Sequence, residues 1–287
     1  MGSTDVVRLV RRITRQRRVG HTGTLDPGAT GVLIVCLGRG TRLVRFLQEG
    51  RKTYLAEVVL GVETTTQDTS GEVVAERSAA DVDERALCAA LAGFVGDLEQ
   101  VPPMVSAVKV GGERLYEKAR RGEVVERTPR RVTVHELVLE SFQAGRRARA
   151  TLLATCSSGT YVRTLAHDLG RALGCGGSLG ALRRLANGPF TLDDAVTVEE
   201  LERRAEDASL DQRLLSLEQA TRAMPQRRVG LATARAVASG RPLPPTGERG
   251  PVAVVLEGPT PRLLGVYSDR GGQARPEAIL VQPAELP

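Results

Sequence analysis

The chain has no tryptophan, and aromatic residues make up only 3% of its 287 positions. A nucleic-acid binder of the RRM type stacks bases on several exposed rings, so this scarcity argues against that class. Cysteine is scarce too. Cys36, Cys88, Cys156 and Cys175 form no Cys-x-x-Cys pair, and two of them lie in apolar, strand-like runs. Buried free thiols are expected, rather than a disulfide framework or a metal centre. The three histidines, His21, His135 and His167, are too scattered for metal-ligand spacing. No stretch approaches the roughly 18 apolar residues needed to span a membrane. No charged-then-apolar leader opens the chain, and Met1-Gly2 is followed at position 6 by Val6, where a myristoylation signal has Ser or Thr. The expectation is a cytoplasmic protein without a bound metal.

What is present is ordinary for a globular protein: 41% apolar and 26% charged residues. The length suits one large domain plus a smaller one. The net charge of +6 is unevenly spread. Residues 1–52 carry eleven Arg or Lys against three Asp or Glu; residues 57–100 carry two against ten; residues 109–131 carry eight against four. A basic run is often just a solvated surface. Here the first run encloses an unusual loop, which makes these segments candidate contacts for a polyanion.

That loop is Gly20-His21-Thr22-Gly23-Thr24-Leu25-Asp26-Pro27-Gly28-Ala29-Thr30-Gly31. Four glycines and one proline make a tight turn-rich segment. Its one carboxylate, Asp26, sits between a cluster of arginines and the apolar run Val32–Leu37, which reads as a buried strand. An Asp before Pro is also a common turn former, so both readings stand on the residues alone.

The spacing of apolar residues predicts a helix over Asp5–Arg17, with Val6, Val10 and Ile13 on one face and Arg8, Arg11, Arg12 and Arg15 on the other. It predicts short helices over Thr41–Glu49 and Leu231–Ser239, and longer ones over Asp83–Val95 and Tyr161–Leu173. Thr197-Val198-Glu199-Glu200 is a capping box opening another. Strands are expected at Thr53–Leu60, Val132–Phe142, Ala148–Cys156, Val252–Leu256 and Leu263–Tyr267. Without regular βαβ alternation, the class is α+β with a mixed, mainly antiparallel sheet and flanking helices.

Seven ordered blocks then carry a resemblance. Gly20 to Pro27 resembles the signature of the TruB family of tRNA pseudouridine synthases. The similarity continues through Gly38-Arg39-Gly40-Thr41-Arg42, Lys52-Thr53-Tyr54, Gln67-Asp68-Thr69-Ser70-Gly71, Pro102 to Lys109, Gly159-Thr160-Tyr161-Val162-Arg163 and Leu182-Arg183-Arg184-Leu185. The resemblance implies a pseudouridine-synthase fold over residues 1–225, with a T-arm-contacting insert near 109–131. It also implies a small β-rich, PUA-like RNA-binding domain over 226–287. The implied activity is isomerisation of uridine 55 in the T-loop of tRNA. That reaction breaks a C–N bond and forms a C–C bond without redox change, so no metal or organic cofactor is expected. A monomer is implied, with tRNA as partner and no obligatory protein partner.

The resemblance also assigns roles. Asp26 is the nucleophile or charge stabiliser; attack on the ribose, attack on the base and a glycal route all remain open. Arg163 pairs with it, since a guanidinium counters the cost of covering a carboxylate with RNA. Tyr54 stacks on the target base and assists proton transfer, with Leu182 on the base's other side. His21 fills the place of the displaced uridine. Arg42, Asp68 and Tyr161 fall near the pocket. Arg11, Arg12, Arg15, Arg17, Arg18, Lys118, Arg120 and Arg121 are phosphate contacts by charge alone. The resembled family begins with a strand and a Lys-Pro-x-Gly-x-Thr-Ser segment, and this chain starts at the tail of that block. A missing strand is expected to leave a sheet edge open.

Three alternatives are weighed. A guide-RNA-dependent relative carries extra N-terminal structure and a lysine-rich extension. A non-catalytic RNA-binding relative need not keep Asp26, Tyr54 and Arg163. A phosphate-binding hydrolase needs a Gly-Lys-Ser/Thr ending that the loop lacks.

Overall fold

The computed structural model describes residues 1–106, 108–123 and 125–286. It divides into two compact units: Asp26–Val32 with Arg51–Asn187, and Met1–Leu25 with Leu33–Gly50 and Gly188–Pro287.

The first unit is built on an antiparallel sheet in the order Gly177–Asn187, Lys52–Leu60, Arg149–Cys156, Arg130–Gln143, Gly96–Gln100. The two-residue strand Thr30–Gly31 runs parallel to Arg183–Arg184 at the side of the first of these. The central strand alternates in burial as period-two geometry requires: Lys52, Tyr54, Ala56 and Val58 point to a covered face. Register puts Ala154 and Arg184 on either side of Tyr54, and Leu152 and Leu182 on either side of Ala56. Helices Glu84–Ala92 and Val162–Ala172 cover this face, inserting Leu87, Leu91, Val162, Ala166 and Leu169 into one core with Tyr54, Val58, Leu152 and Cys156. The first helix is capped by Asp83, whose carboxylate accepts from Ala86 N at 2.7 Å.

In the second unit, helix Ser3–Thr14 packs Val7 and Val10 on Val19 of the Val19–His21 strand, which pairs with Val35–Leu37. Residues Gln226–Val229, Val252–Leu256, Arg262–Arg270 and Gln273–Ile279 form a four-stranded sheet, parallel in its first pair and antiparallel thereafter. Helix Leu231–Ala238 buries Ala234 and Val237 against Val254, Leu264 and Tyr267. The helix after Thr197 forms over Val198–Glu206, with the Thr197 hydroxyl accepting from Glu200 N.

The α+β class, with its mainly antiparallel sheets, is as expected; several boundaries are not. The first helix stops at Thr14 rather than Arg17. The Thr14 hydroxyl turns back onto Val10 O at 2.6 Å, and Arg15 adopts a left-handed conformation that ends the helix. The expected strand over Val32–Leu37 shrinks to Val35–Leu37, because Val32 N is drawn to Arg184 O instead. The expected Thr41–Glu49 helix is a 3₁₀ segment, Gly38–Leu43, followed by one α-turn, Val44–Gln48. Cys36, Cys156 and Cys175 are buried free thiols, whereas Cys88 is exposed.

Candidate active site

Arg163 stands on the first turn of helix Val162–Ala172, and its side chain is only 3% exposed. The helix start is fixed by Gln100, whose buried carboxamide accepts from Tyr161 N at 3.0 Å and donates to Tyr161 O at 3.3 Å. From there the guanidinium reaches Asp26 in a bidentate pair, Nε to Oδ2 at 2.7 Å and Nη2 to Oδ1 at 2.9 Å. Its remaining donors go to Val105 O at 2.9 Å and Thr66 O at 3.3 Å, and Asp68 Oδ2 lies 3.7 Å from Nη1. A planar fork with this many fixed partners has one orientation. Asp26 is 34% exposed. The cation is thus the sealed root of the pair and the carboxylate its accessible tip.

Asp68 is held by its own turn. Its Oδ1 accepts from Thr66 Oγ1 at 2.7 Å and from Ser70 N at 3.0 Å, and the flanking backbone bonds to Leu179 in both directions. The Asp26 turn is closed by Ala29 N to Asp26 O at 3.0 Å and anchored downstream, where Val32 N donates to Arg184 O at 2.9 Å. Gly31 sits at φ +101°, and a Cβ there would lie 2.1 Å from Arg184 O. Only glycine permits that approach.

Tyr54 is buried beneath this loop's anchor. Burial pushes its phenol above the ordinary value; the adjacent Arg184 guanidinium opposes the shift, and the Asp26 charge adds to it. Lys52, on the same face, is pulled down to about 8 by burial and then by Arg184, with Cys156 opposing.

The structure therefore brings Asp26, Arg163 and Asp68 into direct contact, with Tyr54 within electrostatic range of Asp26. Leu182 is half-buried against the same core, and Tyr161 contributes its backbone to the Gln100 clamp. His21 and Arg42 belong to the other unit. There His21 Nδ1 accepts from Gly23 N at 3.2 Å, and Arg42 donates to Ile279 O in the last strand.

Of the phosphate-contact candidates, Arg11 donates to Val19 O and Arg12 pairs with Glu202 at 3.2 Å. Arg15 is exposed, as are Arg17 and Arg18. Lys118 lies between Glu113 and Glu123, and Arg121 bonds to both. The side chain of Arg120 lies outside the described residues. Solvent screens ion pairs at such a surface, so they are weak.

Sequence reasoning did not single out Gln100 or Arg184. Period two along Leu182-Arg183-Arg184 does put Arg184 on the Leu182 face, and that signal could have found it. Nothing local marks Gln100.

Comparison with known proteins decides the family. The model of the TruB family pseudouridylate synthase N-terminal domain matches residues 11–162, which include Asp26, Tyr54 and Asp68. The chain belongs to the TruB family. Two further TruB models match beyond it: the tRNA pseudouridylate synthase B C-terminal domain over 163–222, and the tRNA pseudouridine synthase II C-terminal region over 224–281. Relatives named tRNA pseudouridine synthase B include one from Thermobifida fusca, 44% identical over 96% of this chain and 94% of its own length. Another, from Bacillus licheniformis, is 41% identical over 99% and 96%. One from Symbiobacterium thermophilum reaches 56% over 70% and 67%. Among solved structures, a chain of a Cbf5-Nop10-Gar1 complex superposes with a TM-score of 0.77 at 24% identity, covering 99% of this chain and 83% of its own; at that identity the likeness shows the fold.

Proposed function

We infer that this TruB-family chain is a tRNA pseudouridine synthase, an isomerase that converts uridine 55 of the T-loop to pseudouridine. The observation that carries the reading is the Arg163–Asp26 pair: a carboxylate held bidentate by a sealed guanidinium, yet open on its own side. This is the geometry a nucleophile or charge stabiliser needs. It must be oriented before substrate arrives, and it must not be smothered by its partner.

In this reading Asp26 acts on the ribose or base of the target nucleotide, and Arg163 keeps it aimed. Tyr54 lies against the base and takes part in proton transfer; Leu182 packs on the opposite side. Asp68 completes the charge balance of the guanidinium. Tyr161 and Arg42 take part in binding the substrate, and His21 occupies the vacated position in the T-loop. Arg11, Arg12, Arg15, Arg17 and Arg18, with Lys118, Arg120 and Arg121, meet phosphates. Residues 1–225 make up the catalytic domain, with an insert near 109–131 that touches the T-arm; residues 226–287 form a PUA-like module that helps hold the tRNA. The protein works as a cytoplasmic monomer. Among the described residues no helix is long and apolar enough to cross a membrane.

The test is pseudouridine mapping, by carbodiimide adduct and primer extension, on an unmodified tRNA transcript incubated with the purified chain. A single stop at the T-loop uridine, absent with Asp26→Ala, supports the reading. Tight tRNA binding with no modification sinks it in favour of a non-catalytic or guide-dependent relative.

A further inference from the structure

Arg184 is absent from the mechanism just described, yet it is among the largest fully buried side chains of the protein, at 1% exposure. Taking a guanidinium out of water is costly, and a well-packed apolar side chain of similar size is often at least as stabilising. Its contacts explain what the charge is used for. Through its backbone, Arg184 forms part of the parallel bridge to Thr30–Gly31, and its carbonyl accepts from Val32 N. Through its side chain, Nε donates to Val32 O at 2.7 Å. Val32 is thereby gripped at both its N–H and its C=O by one residue. In the sheet register Arg184 also stands directly opposite Tyr54, close enough for its guanidinium to hydrogen-bond the phenol. One arginine touches both the segment that carries Asp26 and the tyrosine beneath it.

Resting on the pseudouridine synthase reading, we propose that Arg184 is a positioning residue that locks the Asp26 loop and the Tyr54 hydroxyl into one register and places a fixed positive charge beside that hydroxyl. The second role matters for chemistry. When the base is rejoined through carbon, a proton must leave that carbon. A tyrosine accepts that proton only as its phenolate, becoming the neutral phenol, and burial opposes the anionic form. A cation held at the phenol favours that state. The other charged or titratable groups around Tyr54 are Cys156 from the neighbouring strand, Asp26 from the loop above and Lys52 from its own strand. Of these, Cys156 and, more weakly, Asp26 work against ionisation of the phenol.

The test compares Arg184→Gln and Arg184→Lys with wild type by two readouts. The first needs no RNA. The four tyrosines are labelled with 3-fluorotyrosine, and Tyr54→Phe assigns the Tyr54 resonance in the ¹⁹F spectrum. In Arg184→Gln the Tyr54 titration should move upward by about one pH unit or more, because the opposing charge is gone; in Arg184→Lys it should stay near wild type. The second readout is single-turnover conversion of a tRNA transcript beside tRNA affinity. Both variants should lose about ten-fold or more in rate, with affinity within about three-fold, since a lysine cannot grip the Val32 carbonyl and the phenol together.

A folded Arg184→Gln protein whose Tyr54 titrates as in wild type overturns the proposal. So does a wild-type rate in either variant. Should Arg184→Gln not fold, the rate of Arg184→Lys decides. Failure of the wild-type enzyme to form pseudouridine would refute the functional reading instead, and the RNA-free titration would still judge the role of Arg184.

Discussion

Gly31→Ala is the most informative perturbation of the loop that carries Asp26. An added Cβ would lie 2.1 Å from Arg184 O, 2.8 Å from its carbonyl carbon and 2.7 Å from its nitrogen. All three are backbone atoms in the middle of a paired strand and cannot swing aside. Non-bonded carbon and oxygen need more than 3 Å, so the loop must back away by about 1 Å. That displacement stretches the Val32 N to Arg184 O bond from 2.9 Å beyond hydrogen-bonding range, at about 0.5–1.5 kcal/mol. The backbone conformation at φ +101° adds about 1–2 kcal/mol for a residue with a side chain. The total is about 1.5–3.5 kcal/mol of stability. The functional cost should be larger in proportion, because a displacement of about 1 Å at the reacting carboxylate lowers turnover about 100-fold. Tight tRNA binding should survive. Urea unfolding, tRNA affinity and single-turnover pseudouridine formation measure the three quantities. A Gly31→Ala protein with an unchanged urea midpoint and wild-type turnover refutes both the contact and the claim that this contact aims Asp26.

Four other outcomes are expected. Asp26→Asn should abolish isomerisation while tRNA affinity stays within several-fold, as measured by adduct mapping and filter binding; equal loss of both would point to misfolding. Arg163→Lys should reduce turnover far more than affinity, because a point charge cannot make the bidentate pair and still reach Val105 O and Thr66 O; near-normal turnover sinks the pairing role. Lys52 sits at about 8 in the folded chain against an ordinary 10.5, so the unfolded state binds more protons between those values and stability rises with pH across that window. Lys52→Met should remove that rise, up to about 3 kcal/mol, and denaturant titrations at pH 7.5 and 10 of both proteins check it. Affinity for tRNA should fall about ten-fold between 50 and 200 mM salt if as few as two phosphates are neutralised; a flat response excludes the exposed arginines as contacts.

The elements with strong periodicity were legible in the sequence. The strand character of Thr53–Leu60 and the apolar spacing of Leu87 and Leu91 come from residues that pack into the core, and such patterning survives into the fold. The motif blocks pointed to Asp26, Arg163 and Asp68 although 137 residues separate the aspartate from the arginine. What failed to show was decided by long-range contacts. Val32, Leu33 and Ile34 have the composition of a strand, but the backbone of Val32 is claimed by Arg184. Arg15 ends its helix by a left-handed turn, for which arginine carries no propensity signal. Gln100 looks like any strand-end glutamine, and its clamp on Tyr161 appears only when strand and helix are assembled.

The parallel docking of Thr30–Gly31 on Arg183–Arg184 also sets a timetable. A chain made from its N-terminus exposes the aspartate loop early. Its arginine partner follows 137 residues later, and the strand that anchors the loop later still. At ribosomal speeds of about 5–20 residues per second, that gap lasts about 7–30 s. Throughout it the nascent chain offers RNA a basic N-terminal segment but an unaimed carboxylate. The arginine-rich first helix is therefore complete well before the Asp26–Arg163 pair can form.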